Sequence, residues 1–476
     1  MLKYNFKYEL KQLLRSRWIQ LLSALLLSLF GFATYNGLEK VDERNKAIAT
    51  AQGNVLKNDE RMMKLLDSLD RGLEVSIPSW RYPTNPMEIG NNYPRVAAMP
   101  TEPFAFVATG QSDMFTHYKK PEVYGFSFIE DFTEMTSPVQ LLFGSFDLAF
   151  VIVYLLPLLI IAFSYNVLSA ERESGSLRLL GAQPIRIETW VLQKLGLRLL
   201  WLSLLVIATL LLVLLVLGIN PFNNLNTLLG LISLVLVYEL FWFALAFLIN
   251  LWVGQSAKNA MALLGLWIVF VLLVPSVINQ MGSTLYATPS RVLMINEMRD
   301  TQADVLKNVD EILNNFLRDH PEYAVNDTTL QRNYWHNFMV AQKVIREELQ
   351  PVLDNHDQQL KKQQDWVAQF KWISPAVITQ EALNQMAGTS SRDYENFRQQ
   401  VLDFSEEWRN HFMPMVYNNA DFTMEDLENL PQFEYMPLKG TPISAPLTVL
   451  GFSLFVYLLG VFVYGRKSKD SILTTV

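Results

Sequence analysis

With 476 residues, half of them hydrophobic and only 18% charged, the chain departs from the three soluble domains its length alone would suggest. It has no cysteine, which excludes disulfides, thiolate zinc sites, iron–sulfur clusters and a cysteine nucleophile. The net charge of −7 is unevenly spread, and its distribution becomes informative once the apolar segments are located.

Residues 1–17 place Leu2, Phe6, Leu10, Leu13 and Leu14 at helical spacing, with Lys3, Lys7, Lys11, Arg15 and Arg17 largely on the other faces. This reads either as an interfacial amphipathic helix on an anionic inner leaflet or as a basic flank that only sets orientation. Trp18 then begins the first of six runs of about 20 residues that are free of Asp, Glu, Lys and Arg, apart from Glu239. Such a run is long enough to cross ~30 Å of hydrocarbon. The predicted membrane helices are 18–37, 147–170, 199–218, 225–253, 259–279 and 445–464. The fold class expected is therefore an all-α polytopic membrane protein with a large extracytoplasmic, mainly helical domain. The first run is too long for a removable signal peptide and lacks its small-residue cleavage site, so it is expected to remain as an anchor.

Between the first two helices, residues 38–146 begin with a mixed-charge helical stretch to about Leu73, apolar at Val41, Ile48, Val55, Met62, Leu66 and Leu69. Six prolines from Pro78 to Pro103 then predict extended, irregular chain. Residues 280–444, between the last two helices, carry helical stripes: Ile295, Met298, Val305, Val309, Ile312 and Phe316, then Trp335, Phe338, Ile345, Leu349, Val352 and Leu360. An antiparallel bundle is expected, with a kink or break at Pro351 and a further helix around Tyr394 to Phe412.

Residues 1–17, 171–198, 254–258 and 465–476 hold 14 Lys/Arg against 5 acids, whereas 38–146 and 280–444 hold 25 against 39. The positive-inside bias puts both termini in the cytoplasm and the two long loops outside. The segment 465–476 is then a cytoplasmic tail.

Chemistry is mostly absent from the motifs. There is no G-x-x-x-x-G-K-[ST] phosphate loop, no H-E-x-x-H or H-x-x-x-H spacing among the five histidines, and no G-x-S-x-G elbow. No catalytic residue, metal site, cofactor of its own or nucleic-acid partner is expected. Glu239 stands near the middle of a membrane run, where a bare charge costs roughly 3 kcal/mol. It either lines a hydrophilic pathway or is satisfied by a neighbouring helix.

The most informative segment follows the second membrane helix and runs from Ser169 to Pro184, continuing through Arg186, Glu188 and Lys194. It reads as a helix end carrying Glu171, Arg172 and Glu173, a break at Gly175, and a short amphipathic helix. Leu177, Leu179 and Leu180 supply the apolar face of that helix and Pro184 its stop. Such an element suits docking into a groove of a cytoplasmic partner, or it is a solvated interhelical loop.

The stretch E-R-E-S-G-S-L at Glu171 to Leu177 resembles the E-R-E-x-G-[ST]-L signature of ABC-2-type transporter permeases, with Ser176 where threonine is common. Glu102-Pro-Phe-Ala through Asp113, Phe143 to Ala149, Leu155-Leu-Pro-Leu158, Phe241-Trp-Phe243 with Asn250, Thr288 to Arg291, and Ser374-Pro-Ala through Gly388 are similar to one branch of that family, whose outer domain has no assigned function. The resemblance covers nearly the whole chain in order. It implies a subunit in a bacterial cytoplasmic (inner) membrane, paired with an identical or paralogous second permease chain and with separate cytoplasmic ABC ATPase subunits that bind the ATP. Glu171, Arg172 and Glu173 would then make polar contacts to the ATPase, and Leu177 and Leu180 would form an apolar seat. Three functions remain open: export or extraction of a substrate, mechanotransmission to an envelope partner through the outer domain, and assistance to copper-enzyme maturation. The last is suggested by distant relatives in nitrous-oxide reductase maturation, and the lack of cysteine and of clustered His or Met counts against it.

Overall fold

In the computed structural model, residues 2–110, 116–124, 145–177, 186–218, 222–289, 291–308, 311, 314, 315, 318, 334–438, 440 and 444–473 are described. Helix α1 (Leu2–Arg15) ends at Ser16, and α2 (Arg17–Asp70) follows. At 54 residues α2 is about 80 Å long. The expected membrane helix and the expected outer stretch are therefore one helix, because no proline interrupts 17–70 and its glycines are isolated. The proline-rich segment is more ordered than extended chain: Asn85 caps α3 (Pro86–Asn92), with Pro86 at its first position, where the missing N–H costs nothing. Strands β1 (Ala97–Ala98) and β2 (Tyr118–Lys119) then pair antiparallel.

Helices α4 (Leu148–Glu173), α5 (Ile187–Val216), α6 (Leu225–Trp252) and α7 (Ser256–Leu285) follow, with π-helical segments at Val151–Leu155 in α4 and Ile268–Leu273 in α7. Helix α5 begins well before the apolar run at 199, since Ile187 to Arg198 holds nothing that stops a helix. Next come α8 (Arg291–Lys307), α9 (Tyr334–Phe370), α10 (Pro375–Ala387), α11 (Ser391–Tyr417), α12 (Met424–Glu428) and α13 (Ser444–Leu473). Helix α9 does not break at Pro351. The residues on its apolar face before the proline, Ile345 and Leu349, are buried, so packing offsets the lost main-chain bond. The stripe residues Val309, Ile312 and Phe316 lie outside the described residues.

Six helices, α2, α4, α5, α6, α7 and α13, are long and apolar enough to cross a membrane. Among the described residues the protein is thus an all-helical membrane protein apart from one short strand pair. Helix α6 is its spine: 72% of its most apolar window is buried, against 17% for α7. The cluster around α6 also takes in Phe104, Phe106, Val107 and Ala108 and the buried face of α10, Ala376, Ile378, Leu383 and Met386. Both long loops therefore send a segment into the packing of the spanning helices. A second cluster lies apart from the first and joins the two loops: Met62 and Leu66 of α2 and Met87 and Ile89 of α3 pack with Phe397, Trp408 and Phe412 of α11.

Candidate functional site

The Glu171–Glu173 triplet ends α4, and two asparagines set how that end is held. The chain turns at Tyr165 to Leu168, freeing main-chain groups inside the bundle. Asn250, fully buried on α6, accepts from the Leu168 amide (3.2 Å) and donates to the Ser164 carbonyl (2.9 Å). Asn259 of α7 donates to the Tyr165 carbonyl (2.9 Å). Neither asparagine carries charge, so a scan for charges in the apolar runs passes over both. An uncharged polar side chain inside such a run is the signal that would have found them.

Beyond this turn the carboxylates point in two directions. Glu171 takes a hydrogen bond from Ser176 and pairs with Lys194 of α5 at 3.0 Å. Lys194 sits over the Trp190 ring at 4.3 Å and lies 3.5 Å from Glu9 of α1, which also faces Arg198 at 3.7 Å. Arg198 in turn donates to the Phe163 carbonyl. Glu173 accepts from the amide (2.7 Å) and hydroxyl (2.9 Å) of Ser256, which opens α7, and the Ser256 hydroxyl is 2.8 Å from that of Ser169. The triplet thus gathers α1, α4, α5 and the α6–α7 turn on one end of the bundle. Glu9, Ser256 and Lys194 gain their places only through this convergence.

Arg172 is exposed and lies across the α6–α7 turn, so close to Gly254 that a Cβ there would meet its guanidinium. Ser174 and Gly175 are exposed, and Gly175 bends the chain at φ +77°, a conformation that glycine adopts without a Cβ penalty. Leu177 turns inward and packs partly against the spanning-helix cluster. Leu180 and Pro184 lie outside the described residues.

Glu239 is 0% exposed and faces α5, where the Ser203 hydroxyl donates to one carboxyl oxygen. The other oxygen has no partner among the described residues. Also among the described residues, no three His, Asp or Glu side chains are placed to hold a metal ion.

Residues 291–436 match a family model described as a domain of unknown function (DUF3526). No curated protein and no solved structure matches the chain.

Proposed function

We propose that this chain is the membrane-spanning permease subunit of an ATP-binding-cassette complex of the ABC-2 type, exporting or extracting a substrate with energy from a separate ATPase. The observation that carries this reading is the form of residues 169–177, a bent knob bearing the E-R-E-S-G-S-L signature at the end of a spanning helix. Half-buried Glu171 is tied to α5 and exposed Glu173 to the start of α7, while Arg172, Ser174 and Gly175 stay exposed. A docking knob needs that division, because force passes only through a contact whose base does not yield. In this reading Leu177 anchors the knob to the bundle, and Leu180 is the apolar contact to the ATPase.

The charge asymmetry of the loops supports a cytoplasmic position for this face, which also carries α1. With Phe6, Tyr8 and Leu14 exposed, α1 suits the surface of an anionic inner leaflet. The outward apolar faces of α5, α7 and α13, with Leu204, Ile268 and Phe462 among them, suit lipid and a second permease chain.

The reading is tested by purifying the full chain from native membranes, alone and with its copurifying ATPase. The chain alone neither binds nor hydrolyses ATP, and the complex hydrolyses it; Arg172→Glu lowers the ATPase retained at least about tenfold with the melting temperature unchanged, a loss of ~1.4 kcal/mol in contact energy. Tight ATP binding by the isolated chain would sink the reading.

A second reading, mechanotransmission to an envelope partner, is favoured by α9, 37 residues long, which runs from the second cluster to α7. His336 near its start bonds the Tyr417 carbonyl in the outer cluster, and Trp366 near its end donates to the Ile278 carbonyl of α7. Copurification of an envelope protein through residues 280–444, with no substrate moved across vesicles, distinguishes it.

A further inference from the structure

Each π-helical segment is followed, after one intervening residue, by a proline. Leu156 donates to the Val151 carbonyl and Val274 to that of Val269, each five residues back, and Pro157 and Pro275 follow with no N–H to give. In each helix the carbonyls four and five residues before the proline therefore lose their main-chain donors. Side chains from other elements take over. The Tyr238 hydroxyl of α6 donates to the Val153 carbonyl at 3.0 Å, and the Ser374 hydroxyl donates to the Phe270 carbonyl at 2.6 Å. The two segments also face each other, with Trp267 Nε1 donating to the Tyr154 carbonyl at 3.1 Å.

The two helices are held differently. Helix α4 is fixed to α6 within its π segment by Tyr238, at the Val153 carbonyl, and beyond it by Asn250, at the Ser164 carbonyl. Helix α7 is the least buried spanning helix, and at its start Ser256 is moored to Glu173. The bond from Ser374 ties its middle to α10, because the Ser374 oxygen also accepts from the Val377 amide and so caps that helix. We propose that α7 is a lever hinged at Ile268–Leu273, moored on the Glu171–Glu173 triplet at one end and latched at the hinge to α10 of the outer segment by Ser374. Motion of the triplet then reaches residues 374–387 through one helix. This deepens the permease reading only in what drives the lever; the hinge itself needs no ATPase.

The chain contains no cysteine, so Lys258→Cys and Gln280→Cys, both at exposed positions of α7, take nitroxide labels on the full-length protein without background. Pulsed electron paramagnetic resonance in nanodiscs without nucleotide reads their separation. A straight helix would hold them about 33 Å apart. Expected are a broad or two-peaked distribution for the native chain and a collapse to one peak near ~33 Å for Pro275→Ala, which restores the missing donor. Ser374→Ala shifts the distribution away from the native profile, and Ser374→Thr, which keeps the hydroxyl, returns it. Glu173→Ala broadens it by freeing the moored end. A native peak that is single and narrow, and unchanged in Pro275→Ala and Ser374→Ala, overturns the proposal. Because no ATPase is present, that failure leaves the permease reading standing, and failure of ATPase copurification leaves the hinge standing.

Discussion

Replacing Asn250 by leucine tests how the triplet-bearing end of α4 is held. The two side chains are close in volume, so packing in the cluster is nearly kept, but the Leu168 amide loses its acceptor and the Ser164 carbonyl loses a donor inside the bundle. Each unsatisfied buried group costs about 1–3 kcal/mol, so the turn at 165–168 loses roughly 2–6 kcal/mol of local stability. Hydrogen exchange followed by mass spectrometry on the peptide spanning 164–172 reads this directly: the lower bound corresponds to local opening about thirtyfold more frequent. Peptides of α11, whose buried face belongs to the second cluster, serve as the control and keep the native rate. The turn could instead relax by closing a regular bond from the Leu168 amide to the Ser164 carbonyl. Exchange would then be unchanged or slower, and Asn250 would be dispensable to the site, which refutes the reasoning.

Glu239→Gln keeps an acceptor for the Ser203 hydroxyl and leaves the melting temperature near native, whereas Glu239→Ala strands that hydroxyl, opens a cavity and costs about 2–4 kcal/mol in thermal denaturation of the detergent-solubilised chain. Trp408, fully buried, donates from its indole to the Gly90 carbonyl at 2.8 Å and packs on Phe412; Trp408→Ala therefore costs about 3–5 kcal/mol and exposes the α3–α11 region to limited proteolysis while the spanning helices stay protected. Burial by itself would raise the Asp357 carboxyl, but hydrogen bonds from His356 and Arg398 outweigh it and hold the group below its ordinary value. A carboxylate lowered on folding contributes stability above its unfolded pKa of about 4 and loses it as pH falls through the lowered value, so melting of the native chain drops over that acid range and Asp357→Asn flattens the drop.

Much of the architecture is legible along the chain. Uncharged runs of about 20 residues coincide with the six described helices that are long and apolar enough to cross a membrane, because the cost of charge in hydrocarbon acts on each segment separately. The stripe in 334–370 marks α9 in the same local way, and the helix expected around Tyr394 to Phe412 is α11, which begins three residues earlier because Ser390 and Asp393 form a capping box. The E-R-E-S-G-S-L stretch is also readable, since it is contiguous. Its partners are not. Glu9, Lys194, Asn250 and Ser256 lie on four other stretches of chain, and only packing brings them to Glu171, Glu173 and Leu168.

Periodicity likewise misjudges what a proline does. Pro157 and Pro275 each follow a π-helical segment, yet Pro351 sits within an unbroken α-helix, and nothing in their immediate neighbours distinguishes the cases. Where the helix departs from α geometry, other elements supply donors for the freed carbonyls, as Tyr238 and Ser374 do, and where it stays regular the packing of Ile345 and Leu349 offsets the lost bond. The entry of α10 and of Phe104, Phe106, Val107 and Ala108 into the main cluster follows the same logic. Local sequence determines which segments are helical and apolar, because those costs are borne residue by residue. Tertiary structure alone decides which buried polar groups find partners, because a hydrogen bond requires two groups within about 3 Å whatever their separation along the chain.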